Sequence, residues 1–241
     1  MTDRRPLFYV ADAHLTRDDP EVDAFVAFLE REAPSAGTLC IVGDLFNVWF
    51  GEPKFTMPHQ ARVLDSLRRL AAGGVRLTFV EGNRDFSIRR HHLGAPFDEV
   101  AEGCLVDLHA GRRILATHGD EVNRRDRQYL LWKRVSKSGL VYGSFRLLPG
   151  RWGVQAGERL ERRLSGTNLR HKARFPEQEC RRFASELLGP VCDAIVLGHF
   201  HEERQMALPG GTVHVLPAWR GTHRYLSFDG PGPPRFVTFN G

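Results

Sequence analysis

The sequence has no long apolar run, which argues against a membrane-spanning protein. No window of about 18 apolar residues occurs, so no transmembrane helix is expected. The opening residues, MTDRRPLFYV, contain no apolar signal core, and we therefore expect a cytoplasmic protein. The apolar fraction of 41% is still enough for a core in one α/β domain of 241 residues.

Cysteine is scarce as well. The chain has four cysteines, Cys40, Cys104, Cys180 and Cys192, and no two of them form a CxxC pair. A chain long enough to build its own core does not need a disulfide framework. We therefore expect four buried free thiols.

Positive charge is concentrated in one segment. The net charge is +5, but Arg124 to Arg182 alone holds sixteen Lys and Arg residues against five acids. The remainder of the chain is therefore acidic. This distribution predicts that the segment faces an anionic partner, which could be a phosphorylated substrate, anionic lipid or nucleic acid.

Strand-like and helix-like patterns alternate through the first third of the chain. The apolar run Leu7–Ala11 is typical of a strand buried on both faces, and two further strands are separated from it by amphipathic helices. A βαβαβ order favours parallel strands. We predict an α/β fold of two packed sheets flanked by helices, as a single domain over 1–241 with an inserted helical cap at roughly 122–175.

Five short polar motifs each follow a predicted strand. Ligands of open α/β sheets gather at the carboxyl ends of strands, so these motifs are expected to point at one place. The motifs are Asp12-Ala13-His14, Gly43-Asp44, Gly82-Asn83-Arg84-Asp85, His118-Gly119-Asp120 and Gly198-His199-Phe200-His201.

The residue types in these motifs suit metal ions. Residues two apart in extended chain project to one side, so Asp12 and His14 can bind one ion together, as can His199 and His201. Oxygen and imidazole ligands suit Mn, Fe or Zn, and seven ligands fit two ions that share a carboxylate. We interpret the remaining histidines as solvated or as satisfied core residues: His59, His91, His92, His109, His214 and His223.

The series D-x-H, GD, GN-x-D, HGD and GH-x-H resembles the calcineurin-like metallophosphoesterase superfamily, and it spans residues 12 to 201. The resemblance implies an αββα sandwich and two metal sites bridged by Asp44. One ion would be held by Asp12, His14, Asp44 and His201. The other would be held by Asp44, Asn83, His118 and His199.

A closer resemblance is to the UDP-2,3-diacylglucosamine diphosphatases of lipid A biosynthesis. It rests on Gly43-Asp44-Leu45-Phe46 with Trp49 and Gly51, on Gly82-Asn83-Arg84-Asp85-Phe86, and on Ala218-Trp219. The positions implied to contact substrate are Asn83, Arg84, Asp126, Tyr129, Trp132, Ser165, Asn168, Lys172 and His199.

This resemblance also implies a reaction and a location. Two divalent ions, most often Mn²⁺, would support cleavage of the pyrophosphate of a lipid-linked UDP-sugar, giving UMP and 2,3-diacylglucosamine 1-phosphate. Asp44, Arg84 and His199 would act in catalysis. The protein would work at the inner face of the cytoplasmic membrane, in peripheral contact with anionic lipid and without nucleic acid.

Two positions depart from the family pattern. Asn47 stands where the superfamily usually has an acid, which affects the tuning of the metal site. Asn168 is displaced by one residue, since strict spacing falls on Leu169.

Arg84 stands where many members of the superfamily have a proton-donating His. Arginine does not give up its proton, but it can clamp phosphate oxygens with two hydrogen bonds. A phosphate leaving group, whose second pKa is roughly 6, departs as an anion without an acid. Arg84 thus favours a phosphoanhydride substrate over an alkyl ester.

Other functions remain open on the sequence. The apolar and aromatic residues of the insertion favour an acyl-chain groove over an ordinary amphipathic face. A nucleotide pyrophosphatase or another phosphodiesterase of the superfamily would have no use for such a groove. A basic nucleic-acid-binding protein would show binding that weakens steeply with salt. A catalytically inactive scaffold would not need seven metal-ligand residues.

Overall fold

The computed structural model describes residues 5–89, 96–123, 131, 133–135, 137–165 and 175–241. Two β-sheets and a two-stranded ribbon form the centre. The predicted strand over Leu7–Ala11 is present and ends one residue earlier. The strands are β1 (Leu7–Val10), β2 (Thr38–Val42), β3 (Trp49–Phe50), β4 (Arg76–Val80), β5 (Asp85–Phe86), β6 (Glu99–Ala101), β7 (Cys104–His109), β8 (Arg112–Thr117), β9 (Ala194–Leu197), β10 (Arg204–Leu208), β11 (Gly211–Val215), β12 (Arg224–Phe228) and β13 (Arg235–Thr238).

Both sheets have a parallel centre. The six-stranded sheet has the order β13-β12-β1-β2-β4-β6, in which β1, β2, β4 and β6 are parallel. The five-stranded sheet has the order β10-β11-β9-β8-β7, with β11, β9 and β8 parallel and antiparallel strands at both edges. Strands β3 and β5 pair separately. The carboxyl ends of the parallel strands therefore present their loops at one edge of each sheet.

Five α-helices are described, and three of them pack on the outer faces of the sheets. Their bounds are α1 (Pro20–Arg31), α2 (Pro58–Ala72), α3 (Gly139–Arg146), α4 (Gly150–Ser165) and α5 (Glu177–Leu187). Asp19 is the N-cap of helix α1, because its carboxylate accepts the Glu21 N–H. Proline occupies the first turn of the helix. Among the described residues no helix combines the length and apolar character needed to cross a membrane.

The packing forms three layers of apolar contact. Phe8 and Val10 of β1 pack with α1 and α2, whereas the alternating Leu7 and Tyr9 face the second sheet. A third cluster joins the second sheet to α5 through residues such as Cys180 and Ile195. Period-two alternation places opposite faces of one strand in different layers. This arrangement is an αββα sandwich, and it confirms the predicted fold class.

Helices α3 and α4 lie within the predicted insertion and pack against the segment that follows β2. The Phe145 ring centroid lies 4.4 Å from that of Phe50 and 4.9 Å from that of Phe55. Gly153 of α4 lies so close to Phe55 that an added Cβ would sit 2.1 Å from the ring. Aromatic contact thus joins these two helices to the sandwich.

Two predictions about single residues are wrong. Cys40, Cys180 and Cys192 are buried, but Cys104 is exposed because it begins edge strand β7 with its side chain directed outward. His59 is not a satisfied core residue, since its ring is buried and neither ring nitrogen has a hydrogen-bond partner within the described part of the chain. His214 and His223 do have partners, Thr212 and Glu21. His91 and His92 lie outside the described residues.

Candidate metal centre

The seven predicted metal ligands lie on loops at the carboxyl ends of five strands. Asp12 and His14 follow β1, Asp44 follows β2 and Asn83 follows β4, all in the first sheet. His118 follows β8 and the pair His199 and His201 follows β9 in the second sheet. The two sheets therefore contribute to one site.

One group of ligand atoms is centred on Asp12. The Nε2 atoms of His14 and His201 are 3.2 Å apart, and Asp12 Oδ1 lies 3.3 Å from His201 Nε2. These three side chains have ligand atoms within 4.8 Å of one another. They can bind a single ion.

A second group is centred on Asn83. Its Oδ1 lies 3.0 Å from His118 Nε2 and 3.1 Å from His199 Nδ1. The three atoms converge as ligands of one ion would.

Asp44 lies between the two groups. Its Oδ2 is 3.9 Å from His14 Nδ1, and its Oδ1 is 3.8 Å from His118 Nε2. The carboxylate directs one oxygen to each group. Asp12 also approaches both groups, since its ligand atom lies within 4.8 Å of those of Asp44 and His118.

The backbone at the site is in an unusual conformation. Five of the seven predicted ligands have a positive φ, and each such residue other than glycine costs on the order of 1–3 kcal/mol. Strain of this kind persists where the surrounding structure enforces it, which is common at functional sites. The five are Asp12 (56°), His14 (44°), Asp44 (53°), His199 (70°) and His201 (56°).

Hydrogen bonds orient the ligands. His118 Nδ1 lies 3.0 Å from the Val42 carbonyl, so it donates there and leaves Nε2 with a lone pair facing Asn83. The His199 N–H donates to Asp12 Oδ2 at 2.8 Å. The Arg84 N–H donates to Asp44 Oδ1, also at 2.8 Å. These contacts tie each carboxylate to a neighbouring loop.

Asp85 holds two loops together. Its Oδ2 accepts the Asp44 N–H and the Gly82 N–H, both at 2.8 Å. Burial and the negative charge of Asp44 raise the pKa of Asp85 to about 7. Gly82 is required for this close approach, because a Cβ there would lie 2.3 Å from Asp44 Oδ1.

Burial and the nearby carboxylates act in opposite directions on the pKa values of the site's histidines, and the carboxylates raise the pKa of His118. Burial lowers the pKa of His14 to about 3 and that of His199 to about 4, so both rings keep lone pairs for a metal. Burial also opposes charge on His201, but the Asp12 carboxylate outweighs it and raises the His201 pKa. Burial opposes the charge of Asp12 as well, yet His201 holds the Asp12 pKa well below its usual range.

These residues fit divalent metal. Asp12 Oδ1 is buried and has no hydrogen-bond partner among the described residues. Leaving a buried carboxylate oxygen unpaired is costly, and a cation bound there would satisfy it. The donor set of carboxylate, amide oxygen and imidazole is one that first-row divalent ions accept.

The predicted substrate contacts are only partly described. Asn83, Arg84 and His199 lie at the metal centre, and Ser165 is the last residue of α4. Asp126, Tyr129, Trp132, Asn168 and Lys172 lie outside the described residues.

Asn47, the departure from the superfamily pattern, is fully buried beside the insertion. Its Nδ2 donates to the Glu161 carbonyl of α4 at 3.1 Å. Asn47 therefore connects the loop of Asp44 to the insertion.

Three residues that support the site have no role assigned to them by the sequence patterns. Asp85 was part of a motif, but no role was given to it. Lys133 and Lys137 were counted only as part of a basic segment, and their contacts with Asp120 and Gly82 have no signal in the sequence.

Comparison with known proteins gives the family. No family model matches the chain. UDP-2,3-diacylglucosamine hydrolase from Neisseria gonorrhoeae is 30% identical over 240 residues, covering 95% of this chain and 96% of the relative. The protein of that name from Stutzerimonas stutzeri is 32% identical over 235 residues, covering 96% and 89%.

Solved structures are more distant. An archaeal phosphodiesterase is 12% identical with a TM-score of 0.48, covering 97% of this chain and 99% of that one. Vacuolar protein sorting 29 from Cryptosporidium parvum is 13% identical with a TM-score of 0.47, covering 97% and 95%. The sequence relatives, at 30% and 32% identity over nearly their whole length, show that this chain belongs to the UDP-2,3-diacylglucosamine hydrolase family.

Proposed function

We propose that the chain is a dinuclear-metal hydrolase that cleaves the pyrophosphate of UDP-2,3-diacylglucosamine to UMP and 2,3-diacylglucosamine 1-phosphate. The observation that carries the proposal is the convergence of Asp12, His14, Asp44, Asn83, His118, His199 and His201 at one end of the sandwich. The names of the relatives supply the substrate.

The metal assignment follows the two groups of ligand atoms. Asp12, His14 and His201 would hold one ion, Asn83, His118 and His199 would hold the other, and Asp44 would serve both. When bound, the two ions supply Lewis acidity, which polarises the phosphoryl group and lowers the pKa of the attacking water. Mn²⁺ is the ion that we propose.

The protein side chains orient the substrate. The half-buried Arg84 lies on the loop between Asn83 and Asp85, with its backbone tied to Asp44. Its guanidinium clamps the diphosphate, and it stabilises charge on the phosphoryl oxygens together with His199. The leaving phosphate departs as an anion and needs no proton from Arg84.

The insertion supplies the lipid-facing part of the site. Leu140 and Leu147 of the α3 region are each 86% exposed, Leu131 is 64% exposed and Trp152 of α4 is 54% exposed. Exposed apolar side chains among basic ones fit acyl chains and an anionic lipid surface. We propose peripheral contact with the cytoplasmic membrane through this surface.

Several basic residues of the segment are used within the protein. Lys133 pairs with Asp120, Lys137 with Glu81, and Arg146 with Glu52. These pairs reduce the charge that would face any anionic partner. The exposed apolar side chains, for which a nucleic acid has no use, are therefore what favours a lipid-linked substrate.

One assay tests the substrate. Purified chain with Mn²⁺ is given UDP-2,3-diacylglucosamine and, separately, a UDP-sugar without acyl chains. We expect rapid release of UMP only from the acylated substrate. Equal rates would refute the proposed lipid specificity and indicate a nucleotide pyrophosphatase. No turnover of either substrate would overturn the hydrolase proposal.

Vesicle flotation tests the membrane contact. Vesicles of phosphatidylglycerol should carry the protein upward, and vesicles of phosphatidylcholine should carry less of it. A double variant, Leu140→Ser with Leu147→Ser, should lose binding. Leu108→Ser is the control, because Leu108 is 77% exposed on β7, away from the insertion. Equal loss in both variants would contradict the proposed surface.

A further inference from the structure

Two lysines at the start of the insertion lie one helical turn apart. The Lys137 N–H donates to the Lys133 carbonyl at 3.0 Å, which is the spacing of an α-helical turn. Side chains four residues apart on a helix lie on the same face. Both ammonium groups therefore point toward the same part of the sandwich.

Lys133 is bound to the loop that carries His118. Its Nζ lies 2.7 Å from Asp120 Oδ2 and 2.8 Å from Glu121 Oε1, and the residue is only 7% exposed. Burial opposes the ammonium charge, but the two carboxylates outweigh it and raise the pKa of Lys133. The charge is thus retained and neutralised in place.

Lys137 is bound to the loop that carries Asn83. Its Nζ donates to the Gly82 carbonyl at 2.8 Å and lies 3.2 Å from Glu81 Oε2. Glu81 is buried, and its Oε1 accepts the Arg89 N–H at 2.9 Å. The residue directly before Asn83 is therefore fixed by the insertion.

The two loops held in this way supply ligands of the same ion. Asn83 Oδ1 and His118 Nε2 are 3.0 Å apart. The group of Asp12, His14 and His201 stands on the loops after β1 and β9, which neither of these lysine contacts reaches. The lysine pair thus acts on one side of the metal centre.

We propose that Lys133 and Lys137 are positioning residues that set the affinity of the ion bound by Asn83, His118 and His199. The inference rests on the proposed dinuclear function. Residues that orient metal ligands typically change metal affinity 10–100-fold when they are removed. The pair also connects the insertion, where the substrate lipid is proposed to bind, to one of the two ions.

Metal titration tests the inference. Wild type, Lys137→Met and Lys133→Met are equilibrated at buffered free Mn²⁺, and bound metal per chain is measured. We expect two ions in wild type. In each variant, one ion should require about 10–100-fold more free Mn²⁺ and the other should bind as before. Arg134→Met is the matched control, because Arg134 is exposed on the same turn, and it should titrate like wild type.

A variant that does not fold, as judged by its circular dichroism, is replaced by Glu81→Gln. That change removes the counter-charge of Lys137 but keeps an oxygen for the Arg89 N–H. It too should weaken one ion and spare the other. Unchanged affinities of both ions in the folded variants, or equal weakening of both ions, would overturn the inference alone. A wild-type chain that binds no Mn²⁺ would overturn the proposed function together with the inference.

Discussion

His14 and His201 are 187 residues apart in the chain, yet their Nε2 atoms face each other at 3.2 Å. Both residues have a positive φ, and both lie beside the buried Asp12 carboxylate. Two imidazole nitrogens that approach this closely beside a carboxylate are arranged as ligands of one cation. Contact between the loop after β1 and the loop after β9 therefore completes the first group of ligand atoms.

Removing His201 should therefore abolish binding of the ion assigned to Asp12, His14 and His201. Removing Asp44 should weaken binding of both ions. We expect His201→Ala to bind one Mn²⁺ per chain and Asp44→Ala to bind neither ion firmly. Turnover in Asp44→Ala should fall by more than about 10³-fold, because both ions stabilise the transition state.

Metal analysis and UMP release measure these effects. Asp65→Ala, which changes an exposed carboxylate on α2, serves as the control and should retain full activity. Near wild-type turnover in Asp44→Ala would refute the bridging role of Asp44.

Gly82 gives a test of the backbone at the site. Gly82→Ala places a methyl group where only 2.3 Å separates it from Asp44 Oδ1, so the Asp44 carboxylate must move away from the ions. We expect activity to fall at least about 10²-fold, since small displacements in an active site have effects of this size.

Gly103→Ala is the matched control, because no atom lies within 4 Å of an added Cβ at that position. It should be fully active. Equal activity of both alanine variants would mean that the loop of Gly82 can shift without moving Asp44.

Much of this architecture could be predicted from local patterns. The apolar run of β1 and the amphipathic spacing of α2 are determined by residues close in sequence, and the motifs at strand ends predict which residues meet at the candidate metal centre. The short strands β3 and β5 were missed, because two-residue pairing depends on a distant partner and leaves no periodicity.

The supporting contacts could not be read from the sequence for the same reason. Lys137 and Gly82 are 55 residues apart, and nothing near either residue marks the other. The exposure of Cys104 depends on the edge position of β7, which is a property of the sheet order. The backbone strain at Asp12 and His14 likewise arises from the assembled site.

Arg84 should make the enzyme selective for anhydrides. Wild type is expected to release UMP from a pyrophosphate-linked UDP-sugar much faster than from a methyl ester of UMP, because methoxide needs a proton that arginine does not supply. Arg84→Lys should lose about 10²-fold in kcat, since the two-pronged contact is lost while the charge remains.

Arg84→His adds a group that can donate a proton. The variant should therefore show a smaller difference in cleavage rate between the two substrates than wild type does. Rates for both substrates are compared in parallel for the three proteins. Faster cleavage of the methyl ester by wild type would contradict this account of Arg84.

Glu161 should make stability depend on pH through the docking of α4. The residue is buried against α2, with its Oε1 3.6 Å from His59 Nε2. Burial, with Glu158 and Asp19 nearby, raises the pKa of Glu161 from 4.5 to about 7. Burial lowers the pKa of His59 to about 4, so above pH 5 the contact is between a neutral ring and a carboxyl that favours its proton.

The direction of the effect follows from proton linkage. Between pH 4.5 and pH 7 the folded chain holds more protons at Glu161 than the unfolded chain does, so its contribution to stability falls as the pH rises through this window. In the Glu161→Gln variant this side chain does not titrate, so the variant does not lose this stability as the pH rises. The difference in unfolding free energy, variant minus wild type, should therefore be about 1–2 kcal/mol larger at pH 8 than at pH 4.5, after allowance for partial solvent screening.

Urea unfolding at the two pH values measures this difference, with Glu186→Gln on the exposed face of α5 as the control. A constant difference between wild type and Glu161→Gln across the window would show that folding does not raise the pKa of Glu161.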